Sequence, residues 1–397
     1  MDRLVDETLK YNLIPPVVME FPGITVGGGI SGGAGESSSF KYGLFHNTVL
    51  EMEIVLGNGN VIIASRNAHK DLFWGVAGAL GTLGIITKIK LQLKCATQFV
   101  KVEYKPVGSF REMRDALAQY SQSSDYDFIE GLMYDHRVGV VVLGKLTDDS
   151  SARKVISLRH AWDRWFYQHV QKRLKQQIRF DYFPVRDFLF RYDRGGFWMG
   201  EYFFKLFYLP SNRITKLIFN AWLKTRQLYK ALHLAKLTSR YIIQDLCLPK
   251  AQVLNFCKFL DHNIGIYPLW FIPLTSADGK GKMLFNDIQA ELLISIGVYG
   301  THKQLYTKEL ETNISLVRQL QQLGGRKWSY ASNYYTEAEF WKIYSLKWYT
   351  AIRKKYHAHN LFPNIFTKLS AGLHQKPKIL SGFIKFLFQK RYLKVKS

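Results

Sequence analysis

The stretch that decides the fold reads Thr25-Val26-Gly27-Gly28-Gly29-Ile30-Ser31-Gly32-Gly33-Ala34-Gly35-Glu36-Ser37, with six glycines in thirteen positions. Glycine has no Cβ atom and readily adopts positive φ, so a backbone this rich in glycine can approach a bound molecule closely. Successive backbone N–H groups can then point at a phosphate or at the heteroatoms of a ring. Taken alone, the stretch is interpreted equally well as a flexible surface turn. The residues around it are needed to distinguish a ligand-binding segment from such a turn.

Two nucleotide-binding motifs can be tested against this glycine segment (residues 25–37), and neither fits. Residues 27–32 satisfy the GxGxxG pattern, and Glu51 and Glu53 lie near the distance at which a Rossmann unit places its ribose-binding acid. A Rossmann fingerprint opens a helix long enough to return to a parallel strand, whereas further glycines and then Ser37-Ser38-Ser39 follow here. The segment also contains no Lys-Ser or Lys-Thr pair that would make it a P-loop.

The length and composition indicate a folded protein of two domains, since the chain has 397 residues and 47% hydrophobic content. Aromatic residues make up 15% of the chain, which suits either a flat apolar pocket or a membrane-facing surface. Only Cys95, Cys247 and Cys257 are present, without CxxC spacing. They predict a reducing compartment and neither a disulfide framework nor a metal site.

The net charge of +24 is concentrated in the second half of the chain. Residues 1–95 carry 8 basic and 8 acidic residues, whereas residues 151–260 carry 21 basic and 6 acidic residues, a balance of +15. A positive field attracts nucleic acids, anionic bilayers and acidic substrates alike. No zinc spacing, RNP-like run or helix-turn-helix signature is found, so we expect no nucleic-acid partner. No run of about 18 apolar residues occurs, so any membrane contact is expected to be peripheral, at an anionic surface.

Local patterns predict several elements. A β-hairpin is expected over residues 48–64, because Gly57-Asn58-Gly59-Asn60 is a strong turn signal between two β-branched runs. Residues 84–93 alternate as a strand, with Ile85 expected on the face that packs on the core. Residues 337–356 are predicted as one helix. The tail from residue 376 to 397 has seven basic residues and no acid, which is typical of a basic amphipathic surface helix.

Five blocks in a fixed order resemble the FAD-binding domain of the vanillyl-alcohol-oxidase (PCMH) type. Several later blocks and one serine-rich run are similar in particular to Δ24-sterol reductases, and the resemblance covers nearly the whole chain. The serine-rich run is Glu36-Ser37-Ser38-Ser39-Phe40-Lys41-Tyr42-Gly43-Leu44-Phe45. The five blocks are residues 25–37, Lys41-Tyr42-Gly43-Leu44-Phe45, Glu53-Ile54-Val55-Leu56-Gly57-Asn58-Gly59, Asp71-Leu72-Phe73-Trp74 and Gly81-Thr82-Leu83-Gly84-Ile85-Ile86-Thr87. The later blocks are Phe128-Ile129-Glu130-Gly131-Leu132, Gln244-Asp245, Tyr267-Pro268-Leu269-Trp270, Ile296-Gly297-Val298-Tyr299-Gly300 and Glu339-Phe340-Trp341.

The resemblance implies an α+β protein. Residues 1–97 are expected to form the second half of a PCMH-type FAD-binding domain that lacks its first, pyrophosphate-binding subdomain. Residues 98–397 are expected to form an α+β substrate (cap) domain with a basic, aromatic-rich region and a basic C-terminal tail. FAD is expected to bind non-covalently along the glycine segment. The resemblance further implies NADPH as reductant, a sterol substrate and the cytosolic face of the endoplasmic reticulum membrane.

The implied reaction is reduction of a sterol side-chain C24=C25 double bond. Because that alkene is not conjugated to a carbonyl group, an acid has to protonate one carbon while the flavin supplies hydride to the other. The sequence assigns no catalytic residue and offers five candidates, each of which is also compatible with a packed or solvated side chain. They are Tyr299, His302, Tyr334, Tyr335 and Glu337.

Two other functions remain open from the sequence. One is an FAD-linked oxidase of an alcohol or a sugar lactone, which would reduce O₂. The other is a truncated, non-catalytic protein that binds sterol or a membrane surface, for which the basic region and the basic tail are the motivation.

Overall fold

The computed structural model of the chain describes residues 1–149, 155–237, 240–277, 280–301 and 306–371. The first 97 residues contain α1 Asp2–Leu9, β1 Leu13–Ile14, α2 Val26–Ser31, α3 Ser39–Tyr42, β2 Val49–Val55, β3 Val61–Ser65, α4 Lys70–Gly75, β4 Ile85–Leu91 and β5 Lys94–Cys95. The elements that follow are β6 Phe99–Val107, α5 Phe110–Ser121, β7 Phe128–Met133, β8 Gly139–Thr147, α6 Phe166–Lys175, β9 Phe180–Pro184, α7 Val185–Leu189, α8 Met199–Leu206, α9 Arg213–Phe219, α10 Thr225–Leu234, β10 Ile242–Pro249, α11 Val253–Phe259, β11 Leu269–Leu274, β12 Leu293–Gly300, α12 Tyr306–Gln322, β13 Arg326–Lys327, α13 Glu337–Ile343, α14 Leu346–Lys355 and α15 Ile365–Ser370. The predicted α+β class is confirmed.

The predicted hairpin is present as β2 and β3, which form a three-stranded sheet with β4 in the order β3-β2-β4. Gly59 turns the chain at a φ of 86°, a value that favours glycine. The expected core face of β4 is wrong at Ile85, whose side chain is exposed. The pairing of β2 with β4 shifts register between Glu53 and Ile54, so the neighbouring Ile86 packs against the core instead. A β-bulge of this kind reverses which side chains face the core.

The eight strands from β6 onward that share a sheet are ordered β13-β10-β12-β11-β7-β8-β6-β9, and each neighbouring pair is antiparallel. One face of its central strands, with Leu246 and Ile296 among its side chains, packs against α5, α11 and α12. Because side chains alternate along a strand, the neighbours of these residues point to the opposite face. That opposite face carries Glu130, Asp245 and Tyr299.

Helix α14, late in the chain, folds back onto the first 97 residues. The Tyr349 hydroxyl donates to Thr82 Oγ1 at 2.9 Å, and Arg353 donates to the Thr82 carbonyl oxygen at 2.6 Å. Lys355 forms an ion pair of 2.7 Å with Asp71. One buried cluster accordingly includes side chains from both parts of the chain. The division at residues 97/98 stays a prediction.

The helix predicted over residues 337–356 is wrong as a single element, because α13 and α14 are separate. Tyr344 is extended between them, with φ −114° and ψ 146°, and Ser345 caps α14 by accepting a hydrogen bond from the Trp348 N–H. In the described ranges, no helix combines the length and the apolarity needed to cross a bilayer. The basic tail from residue 376 lies outside the described residues.

Candidate active site

A cavity of about 640 Å³ lies between the glycine segment, helices α8 and α10, and the face of the large sheet that carries Asp245. Small-molecule sites commonly have volumes of about 300–1,000 Å³ and mostly apolar walls with a few polar groups. The walls here follow that pattern, because aromatic side chains dominate them. The aromatic lining residues are Phe21, Phe197, Tyr202, Phe203, Phe207, Tyr229, Tyr241, Trp270, Tyr299, Trp328 and Tyr330.

The glycine segment forms one wall through the short helix α2 and the turn after it. Thr25 begins this helix as its N-cap, and its Oγ1 accepts a hydrogen bond of 3.1 Å from the Gly28 N–H. Of the thirteen residues predicted to bind the cofactor, six line the cavity. They are Thr25, Gly28, Gly29, Gly32, Ala34 and Gly35. Gly28 and Gly32 are four residues apart, so they expose bare backbone on one side of the helix.

The other seven predicted residues do not line the cavity, and Ile30, Gly33 and Glu36 have contacts that serve the fold. The seven are Val26, Gly27, Ile30, Ser31, Gly33, Glu36 and Ser37. The Ile30 side chain is fully buried in the core. Gly33 has a φ of 64°, and a Cβ there would lie 2.8 Å from Leu284. The Glu36 carboxylate accepts backbone N–H bonds from Ser37 and Ser38 at 2.6 and 2.9 Å, so it stabilises the turn. The cofactor-binding role of the thirteen residues stays a prediction.

The sheet supplies the acidic group of the cavity. Asp245 on β10 and Tyr299 on the adjacent strand β12 are joined by a hydrogen bond of 2.5 Å, which the Tyr299 hydroxyl donates to Asp245 Oδ1. The Tyr330 hydroxyl, in the turn after β13, donates to the second carboxylate oxygen. Gly297 pairs directly with Asp245 across the ladder. A Cβ at Gly297 would lie 2.6 Å from the Tyr299 hydroxyl, so glycine leaves the space in which the two side chains meet.

Burial determines the protonation of the Asp245 carboxyl group. It raises the pKa of Asp245 to about 7, although the Tyr299 hydrogen bond and the positive charge of Lys327 both act to lower it. Burial, followed by the negative charge of Asp245, raises the pKa of Tyr299 well above its usual value. At neutral pH the pair can therefore hold a proton on the carboxyl group and another on the phenol. Such a carboxyl group can act as an acid near pH 7.

Glu20 is a second carboxyl group on the cavity wall. Its side chain is 6% exposed, and its Oε1 atom has no hydrogen-bond partner in the part of the chain that the structure describes. Burial first and the nearby Glu36 second raise its pKa well above the usual value. A buried carboxyl oxygen without a hydrogen-bond partner is costly, so Glu20 Oε1 is placed to form a hydrogen bond with a molecule in the cavity.

A buried ion pair behind the cavity joins the glycine segment to the sheet. Arg191 donates to Glu130 from Nε at 2.9 Å and from Nη2 at 3.1 Å, and Nη2 also donates to Ser37 Oγ at 2.9 Å. The Trp270 indole N–H donates to the same carboxylate at 2.7 Å. Burial lowers the pKa of Arg191, but attraction to Glu130 outweighs it and the pKa is raised, so the guanidinium stays charged.

The five candidate proton donors are not brought together. Tyr299 lines the cavity, whereas Tyr334 and Tyr335 are buried elsewhere and Glu337 lies exposed at the start of α13. His302 lies outside the described residues. Sequence reasoning missed Glu20 and Asp245 as site residues, together with Tyr330 and Gly297. One sequence signal could have indicated Asp245: the polar pair Gln244-Asp245 lies within the otherwise apolar strand β10.

The residues of the cavity fit a flat heteroaromatic ring such as that of FAD. Bare glycine backbone on one wall permits close approach, aromatic side chains can contact the ring faces, and the unpartnered Glu20 Oε1 offers a polar contact. Among the described lining residues Arg226 alone is basic, so the phosphates of FAD would find one cationic partner there.

Comparison with known proteins agrees with this assignment. Residues 1–65 match a family model described as an FAD binding domain. The Δ24-sterol reductase of Homo sapiens is 28% identical over 367 residues, which cover 89% of this chain and 69% of that protein. The chain is similar to the Δ24-sterol reductases over most of its length. The enzyme of Pisum sativum with the same name is 26% identical over 419 residues, covering 94% of this chain and 72% of that protein.

A second kind of relative shares a shorter region. Cytokinin dehydrogenase 9 of Oryza sativa subsp. japonica is 34% identical over 142 residues, which cover 35% of this chain and 27% of that protein. The relatives are thus reductases and a dehydrogenase. The chain resembles FAD-binding oxidoreductases, and its similarity to Δ24-sterol reductases extends through the cavity-forming sheet.

Proposed function

We propose that the protein reduces the isolated C24=C25 double bond of a sterol side chain, with FAD as bound cofactor and NADPH as reductant. The observation that carries the proposal is the Asp245–Tyr299 pair, an acid with a pKa raised to about 7 on the wall of an apolar cavity that also has a glycine wall. An alkene without a neighbouring carbonyl group needs such an acid.

The chain's own residues would supply the proton. FAD, once reduced by NADPH, would supply hydride to one alkene carbon. Tyr299 donates its hydroxyl proton to the other carbon, and protonated Asp245 returns a proton to the phenolate oxygen through their hydrogen bond. The products are the saturated side chain and an ionised Asp245, which takes up a proton from solvent in the next cycle. The aromatic walls exclude water from this path.

Purified protein supplied with FAD, NADPH and desmosterol tests the proposal. We expect a flavin absorbance spectrum and a product two mass units heavier than the sterol, as two hydrogen atoms are added. Absence of both flavin and product would reject it. Rapid formation of hydrogen peroxide with an alcohol or a sugar lactone would instead support the oxidase.

Filling the glycine wall should displace the cofactor. Gly32→Leu places a side chain at the cavity wall, and overpacking of about 1–3 kcal/mol predicts FAD binding weakened by about 5- to 150-fold. Ser31→Leu is the matched control, because Ser31 is the neighbouring residue and does not line the cavity. Titration of each variant with FAD, followed by flavin absorbance, measures the difference. Equal affinities for the two variants would contradict an FAD site at this wall.

The reduction rate should fall as pH rises through about 7, because Asp245 must be protonated and its pKa is raised to that value. Lys327 lowers this pKa through its charge, so Lys327→Met should move the fall to higher pH. Rates measured between about pH 5.5 and 8.5 at saturating substrate test both statements. A flat profile over that range, or a shift of the fall to lower pH, would argue against Asp245 as the acid.

A further inference from the structure

Four large apolar side chains are exposed on one segment next to the cavity. Tyr208 is 96% exposed, and Ile214, Leu217 and Ile218 of α9 are 69%, 52% and 61% exposed. The three α9 residues have i, i+3, i+4 spacing, so they form one face of that helix. We call these four side chains the α9 ridge. Exposed apolar residues grouped on one helix face are typical of an interaction surface.

The segment that carries the α9 ridge is basic, and the Glu201 carboxylate beside it pairs with Lys216 at 3.4 Å. Residues 205–236 contain seven basic residues and no acidic one. Lys216 is held internally, where its Nζ donates to Gln168 at 3.0 Å. Lys205, Arg213 and Lys224 are exposed. An apolar face bordered by basic side chains complements an anionic bilayer, whose headgroups attract the charges and whose acyl boundary accepts the apolar groups.

The α9 ridge is the outer side of a cavity wall. The helices on either side of α9 line the cavity, α8 through Phe203 and α10 through Leu228 and Leu232. On its inner side, α9 packs Phe219 against Phe203, with ring centroids 5.6 Å apart. One layer of helices therefore separates the apolar cavity from the exposed apolar surface.

We propose that the α9 ridge docks this protein on the surface of an anionic bilayer, with Tyr208, Ile214, Leu217 and Ile218 inserted at the boundary between headgroups and acyl chains. Docking sets the α8–α10 wall of the cavity against the membrane. Resting on the proposed function, this would let a membrane-embedded sterol reach the cavity without crossing water.

Vesicle binding without substrate tests the docking directly. The full chain is mixed with sterol-free vesicles of phosphatidylcholine, with or without phosphatidylserine, and the sedimented fraction is measured. The test variant is Ile214→Ser/Leu217→Ser/Ile218→Ser. The matched control is Val61→Ser/Ile63→Ser/Ile85→Ser, which removes three comparably exposed apolar side chains from the three-stranded sheet.

We expect the test variant to bind phosphatidylserine vesicles about tenfold or more weakly than the wild type, and the control to bind as the wild type does. Arg213→Gln should weaken binding to these vesicles by about fivefold and leave binding to pure phosphatidylcholine unchanged. Unchanged vesicle binding by the test variant would overturn the proposal. A wild-type dimer that the test variant dissociates would also overturn it, because a second copy would then cover the ridge.

A separate measurement distinguishes a failure of the proposed reductase function from a failure of the proposed membrane docking. Sterol reduction is measured with the substrate in phosphatidylserine vesicles and, in parallel, dispersed in detergent. The test variant should lose rate about tenfold with vesicles and keep the wild-type rate in detergent. If the wild type binds vesicles through the ridge but reduces no sterol in either form, the docking stands and the reductase does not.

Discussion

Asp245→Asn is expected to lower the rate of sterol reduction by about 10²- to 10⁴-fold, the usual contribution of a general acid. An amide has nearly the shape of the carboxyl group, but it cannot return a proton to Tyr299, to which Asp245 is joined by a hydrogen bond of 2.5 Å. Tyr299→Phe should lose a similar factor. Single-turnover measurements should find the loss in the step from reduced flavin to sterol, with reduction of the flavin by NADPH unchanged.

Tyr335→Phe is the matched control for this prediction. Its hydroxyl is buried and has no hydrogen-bond partner within the described ranges, and the residue does not line the cavity. Loss of the Tyr335 hydroxyl should leave the rate of sterol reduction unchanged. The acid role of the Asp245–Tyr299 pair is contradicted if Asp245→Asn keeps its rate within about threefold of the wild type, since so small a loss is below that of general acid catalysis.

Glu130→Ala is expected to lower the free energy of unfolding by about 3–5 kcal/mol, because it leaves the buried Arg191 charge without its carboxylate. The change also removes the acceptor of the Trp270 indole N–H. Urea unfolding followed by circular dichroism measures the loss. A loss below about 1 kcal/mol, the value typical of surface pairs, would mean that Arg191 finds another anionic partner.

Two further variants show whether the loss comes from the unpaired charge. Glu7→Ala breaks an exposed ion pair of 2.8 Å with Lys10 and should cost about 0–1 kcal/mol. The double variant Glu130→Leu/Arg191→Met removes both buried charges. It should be more stable than Glu130→Ala, because the guanidinium is then not left buried without its hydrogen-bonded carboxylate. The buried Glu36 carboxylate, 3.9 Å from Arg191 Nη2, keeps its hydrogen bonds from the Ser37 and Ser38 N–H groups. A double variant less stable than the single one would assign the loss to the hydrogen bonds of Trp270 and Ser37 instead.

Local sequence patterns predicted those elements whose ends are set by local chemistry. The hairpin followed from its Gly57-Asn58-Gly59-Asn60 turn. The patterns failed where pairing between strands decides. Ile85 alternates correctly within its own strand, but the bulge that exposes it arises from the register with β2.

The candidate site likewise has one part that the sequence predicted and another part that only the folded structure shows. The glycine segment was found because its composition is unusual over thirteen consecutive residues. Asp245 and Tyr299 are 54 residues apart and meet only through the pairing of β10 with β12. Glu20 acquires its raised pKa from burial by the rest of the chain. Composition and spacing carry no information on such contacts, so the acidic group could be named only from the folded structure.

The return of α14 onto the first part of the chain has a consequence for synthesis. The hydrogen-bond partner of Thr82 is Tyr349, which is synthesised 267 residues later. The partner of Asp71 is Lys355, which is synthesised 284 residues later. The first 97 residues therefore leave the ribosome long before the helix that covers them, and contacts so distant in sequence form slowly. During that interval their apolar surface is exposed to chaperones and proteases. A chain that ended shortly before residue 346 would lack these partners of Thr82 and Asp71, so we expect it to unfold more readily than the full chain.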